Sequence, residues 1–265
     1  MASPVRPPHT LQGLRRLVVL SDHPLARVTR GLRKILIGFE LPAPRLIVRP
    51  LLFLFLACRA MFYLFKKKFI CEPLLKAYCT SYGKGLQSGV FIPWIQGAGD
   101  LIIGDDFTVY GKLSITYGTR FSERPTFRIG NNVMMGHLCS FTVAKSVTIG
   151  NNCLISAYAL VIDSSGHPVD PVRRLAGWPP LPEEVRPVVI EDNVWIGTGC
   201  TILPGVTIGE GSVVSAGSVV RRNIPPYSLA GGNPARVLTP LPHAQPEAGP
   251  GVSALPEGTV GTNVS

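Results

Sequence analysis

The sequence predicts an all-β fold, a parallel β-helix of six-residue repeats, preceded by a basic, apolar helical segment. Three observations support this prediction: aliphatic residues recur every six positions, small residues follow them at a fixed offset, and a long apolar run precedes the repeat. A period of six matches neither an α-helix nor the simple alternation of a flat strand. It indicates short strands joined by tight turns, stacked so that successive coils share one core.

The repeat spans roughly residues 100 to 226, with one large apolar residue expected inside the coil in each six-residue unit. The expected inward residues are Ile103, Val109, Ile115, Ile129, Met135, Phe141, Ile149, Ile155, Val161, Ile190, Ile196, Ile202, Ile208, Val214 and Val220. Small residues that fit a narrow interior follow some of them four positions later: Cys139, Cys153, Cys200, Ser212 and Ser218. The six cysteines include no Cys-x-x-Cys pair, so we expect neither a disulfide framework nor a metal centre.

The net charge of +10 comes from the N-terminal segment, since residues 1–68 contain thirteen Lys/Arg against two Asp/Glu. Within it, residues 46–65 form an apolar run that is interrupted by Arg49, Pro50 and Arg59 and followed by three lysines. A charge near the bilayer centre costs about 2.5–3.5 kcal/mol, which disfavours a plain membrane-spanning helix. We therefore predict an interfacial anchor on an anionic membrane surface.

Two other interpretations of this segment stay open. The run could be a helix packed on the main domain, and the basic residues could contact nucleic acid, although no nucleic-acid-binding motif accompanies them. No cleavable signal pattern is evident, so we expect a cytoplasmic protein, peripheral to the inner membrane.

The repeat is interrupted in three places, which are candidate walls of an active site. A Pro-rich stretch that begins at His167 separates Val161 from Ile190, residues 121–128 form a smaller interruption, and a two-residue slip lies near Ala144 and Lys145. We predict a membrane-associating segment at 1–80, a β-helix domain at 81–238 with a catalytic loop at 163–188, and a disordered tail at 239–265.

Several segments resemble the hexapeptide-repeat acyltransferases, in particular the maltose and galactoside acetyltransferases and related polysaccharide O-acetyltransferases. The resemblance covers about 100 residues and rests on Gly166-His-Pro168, Asn193-Val-Trp-Ile-Gly197, Ser215-Ala-Gly-Ser-Val-Val220, Ile224-Pro-Pro-Tyr-Ser228 and Gly231-Gly-Asn-Pro-Ala-Arg236. It implies a left-handed β-helix and a homotrimer that binds acetyl-CoA and acceptor between neighbouring coils. In this family the histidine of the Gly-His-Pro motif, here His167, is the general base.

The resemblance also assigns further site residues. It places Trp195 beside the acceptor, although the indole could equally plug the space beneath the loop. It places Thr198, Ala216, Arg221, Arg222 and Arg236 where relatives contact CoA, and guanidinium groups suit its phosphates. Each arginine could instead be an ordinary surface charge.

The acceptor pocket departs from the galactoside pattern, because His137 and Lys145 stand where that family has Asn and Asp. The N-terminal segment of the maltose enzymes is also replaced. A lipid-linked acceptor is therefore favoured over a free disaccharide. Zinc catalysis is disfavoured because the other histidines, at 9, 23 and 243, lie outside the repeat.

The leading hypothesis is an acetyl-CoA-dependent O-acetyltransferase that modifies a sugar hydroxyl of a polysaccharide precursor or glycolipid, without a metal. One alternative is an acetyltransferase for a small diffusible acceptor, of the xenobiotic type, which leaves the N-terminal segment unexplained. A second is a non-catalytic β-helix scaffold. The Gly-His-Pro motif and the arginines argue against the scaffold.

Overall fold

The computed structural model describes residues 23–39 and 43–242. The chain divides into two units, residues 1–59 and residues 60–265. The predicted disordered tail, from residue 243 onward, lies outside the described residues.

Helices occupy the described part of the N-terminal segment: α1 (Pro24–Gly38), α2 (Arg45–Lys66), a π-helical turn (Lys67–Cys71) and α3 (Glu72–Tyr78). Helix α1 has Pro24 in its first turn, where a missing N–H costs nothing, and His23 Nδ1 accepts a hydrogen bond from Leu25 N at 3.3 Å. No side chain of α2 is buried. By length and composition alone, the 34-residue helical stretch Arg45–Tyr78 could cross a membrane, since an 18-residue window within it has a mean hydropathy of 1.8.

The rest of the described chain consists of short strands joined by turns and loops. In chain order the strands are β1 (Ser81–Tyr82), β2 (Trp94–Gln96), β3 (Asp100–Ile103), β4 (Thr108–Val109), β5 (Leu113–Tyr117), β6 (Thr126–Ile129), β7 (Met134–Met135), β8 (Cys139–Val143), β9 (Ser146–Ile149), β10 (Leu154–Ile155), β11 (Leu160–Ile162), β12 (Val188–Ile190), β13 (Trp195–Ile196), β14 (Thr201–Ile202), β15 (Thr207–Ile208), β16 (Val213–Val214), β17 (Val219–Val220), β18 (Ser228–Gly232) and β19 (Ala235–Pro240). Between β11 and β12 lie a short helix, α4 (Pro171–Leu175), and a 3-10 turn (Pro182–Glu184).

The strands form three sheets, and the chain visits them in turn. Sheet 1 has the order β1-β3-β6-β9-β12-β15, sheet 2 the order β19-β18-β16-β13-β10-β7-β4, and sheet 3 the order β17-β14-β11-β8-β5-β2. Neighbouring strands are parallel, except for the terminal pair β18 and β19. Each coil is therefore a triangle with three corners, which we name corner 1–2, corner 2–3 and corner 3–1 after the sheets that they join.

The predicted core is confirmed. All fifteen inward residues expected from the period of six are at most 3% exposed, and Cys139, Cys153, Cys200, Ser212 and Ser218 are at most 1% exposed. Burial raises the pKa of the Cys139 and Cys153 thiols to about 11, so both stay neutral at physiological pH. These cysteines are packing residues.

Corner 1–2 shows how polar side chains hold successive coils together. The backbone N–H groups of Asp105, Asn131 and Asn151 donate to the side-chain oxygens of Asn131, Asn151 and Asp192, each at 2.8 Å. The backbone N–H groups that each turn leaves unpaired are thus satisfied by side chains of the next coil along the chain.

The β-helix begins earlier than the recognised repeat. Residues 81–96 already make one coil, in which β1 pairs with β3, Gln87 bridges to Thr108, and β2 pairs with β5. At the other end β19 runs to Pro240, two residues past the predicted domain boundary.

The loop between β11 and β12 is anchored by Asp163, whose side chain is fully buried. Its Oδ1 accepts from Ala144 N and its Oδ2 from Lys145 N, both at 2.7 Å, and its backbone oxygen accepts from Arg186 N at 2.9 Å. One residue therefore joins the start of the loop, its end and the two-residue slip of the previous coil. Burial raises the pKa of this carboxyl, and the N–H donors of Ala144 and Lys145 oppose the rise.

Truncation of Ile155, which is 0% exposed, should lower the free energy of unfolding by about 2–5 kcal/mol, because it leaves a cavity in a core with little room to relax. Leu160→Ala is the matched control, since it removes the same number of carbon atoms from a side chain that is 36% exposed. Urea unfolding of Ile155→Ala and Leu160→Ala measures the difference. Equal losses would contradict the assignment of Ile155 to the interior.

Asp163→Asn should destabilise the protein by about 1–3 kcal/mol, because the amide nitrogen that replaces one carboxylate oxygen is a donor and leaves one of the two N–H groups without an acceptor. The raised pKa means that the folded wild type binds more protons than the unfolded chain in the window between their two pKa values. Wild-type stability should therefore fall as pH rises from about 4 through the folded-state pKa. The variant should lack this component.

Denaturant midpoints measured across that pH range test both statements. Glu183→Gln, which changes an exposed carboxylate on the same loop, is the control and should leave the pH dependence unchanged. A wild type and an Asp163→Asn variant with the same pH slope would refute the buried-carboxylate account.

Candidate functional site

The three predicted interruptions meet around one cavity of about 560 Å³ at corner 3–1. From the loop it is lined by Ser164, Gly166, His167, Arg174, Gly177, Trp178 and Pro180, and from the coils by Thr116, Tyr117, Gly118, Thr119, Arg120, Phe121, Thr142 and Ala144. Its volume is within the range of small-molecule sites. Its lining contains two arginines and no carboxylate.

His167 is positioned by the backbone turn that precedes it. The buried Ser164 hydroxyl accepts a hydrogen bond from Gly166 N at 3.1 Å, and the Ser165 hydroxyl donates to His167 O at 2.8 Å. Gly166 has a φ of 76°, a left-handed conformation that other residues adopt at a cost. The imidazole is exposed, and within the described residues neither of its nitrogens has a hydrogen-bond partner. Both are therefore available to a substrate.

The outer wall of the cavity comes from α4 and the residues after it. Asp170 caps the helix, since its Oδ1 accepts from Arg173 N at 2.7 Å. Arg174 Nη1 donates to the backbone oxygens of Pro168 and Val169 at 3.0 and 2.9 Å, which fixes the segment just after His167. Arg174 and Trp178 were not predicted as site residues from the sequence. The sequence does contain a signal for the short helix that carries Arg174, because Asp170-Pro171 is a typical helix start.

A second group of predicted residues stacks at corner 2–3. Thr198 and Ala216 are exposed and lie in successive coils, with Gly217 N donating to Thr198 O at 2.8 Å. Gly197 is required there, because a Cβ at this position would lie 2.6 Å from Ala216 N. We call Thr198, Ala216 and their flanking glycines the corner 2–3 column.

His137 lies at the same corner, nearer the start of the β-helix. Its Nδ1 accepts from Lys112 N at 3.2 Å, and its ring lies 5.0 Å from the Phe91 ring and 6.3 Å from the Tyr158 ring. The aromatic neighbours were not predicted. Phe91 belongs to the first coil, which the period of six did not reveal.

The remaining predicted residues lie elsewhere on the surface. Lys145 is exposed at corner 3–1, next to Ala144 of the cavity wall, and Arg221 and Arg222 are exposed beyond the last coil at the same corner. Arg236 is exposed on β19, where it pairs with Gly231. Trp195 projects from sheet 2, is 49% exposed, and donates from Nε1 to Ser156 Oγ at 3.1 Å.

Within one chain the predicted site is therefore divided. His167 and the cavity belong to corner 3–1, whereas His137 and the corner 2–3 column belong to another corner, and Trp195 belongs to sheet 2. Trp195 does not line the cavity.

Two family models match the β-helix. The model for "Bacterial transferase hexapeptide (six repeats)" matches residues 187–222, and the model for "Hexapeptide repeat of succinyl-transferase" matches residues 127–157. Both matches fall within the run of strands from β6 to β17.

Curated relatives agree with the family models. The chain is 41% identical over 134 residues to a protein of Saccharomyces cerevisiae named as a candidate acetyltransferase, covering 51% of this chain and 63% of the relative. It is 43% identical over 109 residues to a similarly named protein of Schizosaccharomyces pombe, covering 41% and 50%. It is 40% identical over 120 residues to the galactoside O-acetyltransferase of Escherichia coli, covering 44% and 56%. The chain thus matches between half and two thirds of the length of each relative.

A solved structure supports the fold. A point mutant of AntD, an N-acyltransferase from Bacillus cereus, superposes with a TM-score of 0.53 at 19% identity, covering 65% of this chain and 89% of that one. At this identity the similarity concerns the fold alone. The left-handed parallel β-helix is confirmed, and the family models and curated relatives support the predicted resemblance to the hexapeptide-repeat acetyltransferases.

Proposed function

We propose that the protein transfers an acetyl group from acetyl-CoA to a sugar hydroxyl, with His167 as the general base. The observation that supports this most directly is the cavity at corner 3–1, which is lined by His167 together with hydroxyl, indole and guanidinium groups. Among the described residues the imidazole has no hydrogen-bond partner. The resemblance to curated acetyltransferases supports acetyl-CoA as the acyl donor. The Escherichia coli relative, a galactoside O-acetyltransferase, supports a sugar hydroxyl as acceptor.

The proton transfers follow from imidazole chemistry. One nitrogen of His167 accepts the proton of the acceptor hydroxyl, and the hydroxyl oxygen bonds to the carbonyl carbon of the thioester. The carbon–sulfur bond then breaks, and His167 returns the proton to the departing thiolate. A positioned imidazole can serve both steps because it exchanges protons near neutral pH. Backbone N–H groups near the reacting carbonyl would stabilise the oxyanion.

The donor side of the proposed site comes from a second copy of the chain. Thr198 and Ala216 form an exposed column of small residues along which an extended pantetheine arm can lie. Arg221, Arg222 and Arg236 are exposed and can pair with CoA phosphates. Since the corner 2–3 column and His167 lie at different corners, we propose a homotrimer in which the column of one copy faces the loop of its neighbour.

Sheet 2 is suited to such an interface. In the register of this sheet, the outward residues from successive coils are mostly apolar: Met134, Leu154, Trp195, Val213 and Leu229. The corresponding outward residues of sheet 3 are more polar, with Ser114, Ser140 and Thr201 in the ladder. In this arrangement Lys145 flanks the acceptor from the loop side, and His137 and Trp195 flank it from the neighbouring copy.

The acceptor is proposed to be membrane-linked, as a glycolipid or a polysaccharide precursor. Helix α1 places Leu25, Val28 and Leu32 on one face, and Arg27 and Lys34 on the other, as an interfacial helix does. Helix α2 adds a long apolar stretch with no buried side chain. We therefore propose that the protein acts at the cytoplasmic face of a membrane.

His167→Ala should lower the rate of acetyl transfer at least about a hundredfold, the usual contribution of a general base. Its affinity for acetyl-CoA should stay within about twofold, because the imidazole is not needed to hold CoA. Free thiol release by the purified full chain, with a panel of membrane glycolipids as acceptors, measures the rate, and calorimetry measures binding. His167→Gln retains side-chain polarity and should be equally impaired.

The outcomes separate the possible functions. Loss of turnover with intact binding supports the general-base role. A wild type that binds acetyl-CoA but acetylates only small soluble hydroxyl compounds would replace the membrane-linked acceptor with a diffusible one. Absence of both turnover and acetyl-CoA binding would favour a scaffold.

Leu154→Asp should convert the trimer to monomers, because it places a charge in the apolar ladder of sheet 2. Thr148→Asp, at an outward position of sheet 1, is the control and should leave the assembly intact. Light scattering after size-exclusion chromatography reports the mass. A Leu154→Asp protein that keeps the wild-type mass would place the interface elsewhere.

A further inference from the structure

A second cavity, of about 590 Å³, lies where α3 meets the first coils. We call it the lysine cleft. It shares no residue with the His167 cavity, and it is lined by Lys68, Glu72, Lys76, Tyr82, Gly83, Lys84, Gly85, Leu86 and Asp105. It lies on the corner 1–2 side of the molecule, away from the loop.

The carboxylates of the cleft are already engaged. Glu72 is 6% exposed and accepts hydrogen bonds from Lys68 Nζ at 3.2 and 3.1 Å, while Lys67 Nζ lies 3.9 Å away. Asp105 Oδ1 accepts the backbone N–H of Lys84 at 2.6 Å. Glu72 therefore faces two lysines, and one oxygen of Asp105 is used by the backbone.

Two ammonium groups of the cleft have no carboxylate partner within the described residues. Lys76 Nζ lies 5.5 Å from the centre of the Tyr82 ring, and Lys84 is exposed on the turn that follows β1. With Lys68 they place three cations around one open space. Such a space favours a compact anion, because a phosphate oxygen can accept from each ammonium group.

The helical stretch beside the cleft also exposes apolar side chains on its other faces. Phe69 is 68% exposed, and Ile70 and Leu74 are each 39% exposed, on the same helical stretch that supplies Lys68 and Lys76. The π-helical turn Lys67–Cys71, a feature frequent at functional sites, lies directly before Glu72. A helix that presents cations on one face and exposed aromatic and aliphatic side chains on its other faces can lie at the boundary between lipid headgroups and acyl chains.

We propose that the lysine cleft binds the phosphate of an anionic lipid headgroup, preferring a phosphomonoester, which carries up to two charges on one phosphate. This inference rests on the membrane association in the proposed function. It adds a specific headgroup site, separate from acceptor and CoA. The cleft fixes how the β-helix stands on the membrane, since the headgroup is held at its N-terminal end.

Partitioning of the full chain onto vesicles tests the proposal. Three vesicle compositions are compared: phosphatidylcholine alone, phosphatidylcholine with phosphatidic acid, and phosphatidylcholine with phosphatidylserine, the last two matched in surface potential. Wild type should prefer phosphatidic acid over phosphatidylserine. Lys76→Gln and Lys84→Gln should each reduce partitioning onto phosphatidic acid about fivefold, the factor expected for one cation at an anionic surface, and should remove that preference.

Two controls isolate the cleft from general charge. Arg128→Gln removes an exposed cation from sheet 1 and should leave the preference unchanged. Lys76→Arg keeps the positive charge and should retain at least part of the preference for phosphatidic acid. Equal wild-type partitioning onto the two anionic compositions, or variants that retain the preference, would overturn the proposal.

Two further measurements distinguish a lipid headgroup from a soluble phosphate compound as the ligand of the lysine cleft. Saturable binding of inorganic phosphate without vesicles, at affinity equal to or above that for phosphatidic acid, would assign the cleft to a soluble phosphate compound and overturn the lipid assignment. Binding to phosphatidylcholine alone tests the apolar helices. If the wild type does not bind phosphatidylcholine vesicles, the proposed membrane association is contradicted. If it binds them but shows no preference for phosphatidic acid, only the proposed headgroup site in the lysine cleft is contradicted.

Discussion

The narrow interior of the coil is the constraint on which the rest of the structure depends. Each strand pairs with the equivalent strand of the next coil, so each six-residue unit buries one large apolar residue and a second residue, often a small one, four positions later. Ile196 and Cys200 show the two kinds of position, each 0% exposed. Catalytic and binding side chains therefore have to lie outside this core. The chain can depart from the repeat at the corners, where a loop can replace a turn.

Corner 3–1 shows what such a departure requires. The loop between β11 and β12 interrupts the stack for 25 residues, from 163 to 187, yet the strands on either side keep their register with the coil below. Asp163 makes this possible by accepting two N–H groups that the slip at Ala144 and Lys145 would otherwise leave unpaired. A buried carboxylate that stabilises the base of the loop also sets where His167 projects.

The sequence predicted the parts of the fold that depend on periodicity, because burial in a coil this narrow leaves little freedom in residue type. The predicted domain boundary at residue 81 includes the first coil, but the period of six did not reveal that coil, because inward positions such as Leu86 and Ser88 do not follow an aliphatic series. His167, the loop and the three interruptions were predicted, and their meeting around one cavity could be tested only in three dimensions. Arg174 and Trp178 were missed because a single short helix, rather than the repeat, brings them to the cavity. The Phe91 contact of His137 was missed for the same reason as the first coil.

The proposed division of the site between two copies of the chain is tested most directly by subunit complementation. His167→Ala removes the base, and Ala216→Trp blocks the corner 2–3 column; each variant alone is expected to be inactive. Mixed trimers of the two contain some sites with both wild-type elements only if His167 and Ala216 come from different copies. Co-expressed variants, assayed with the best acceptor, should therefore recover a substantial part of wild-type turnover. Mixed trimers that form but stay inactive would show that both elements act within one chain and contradict the account.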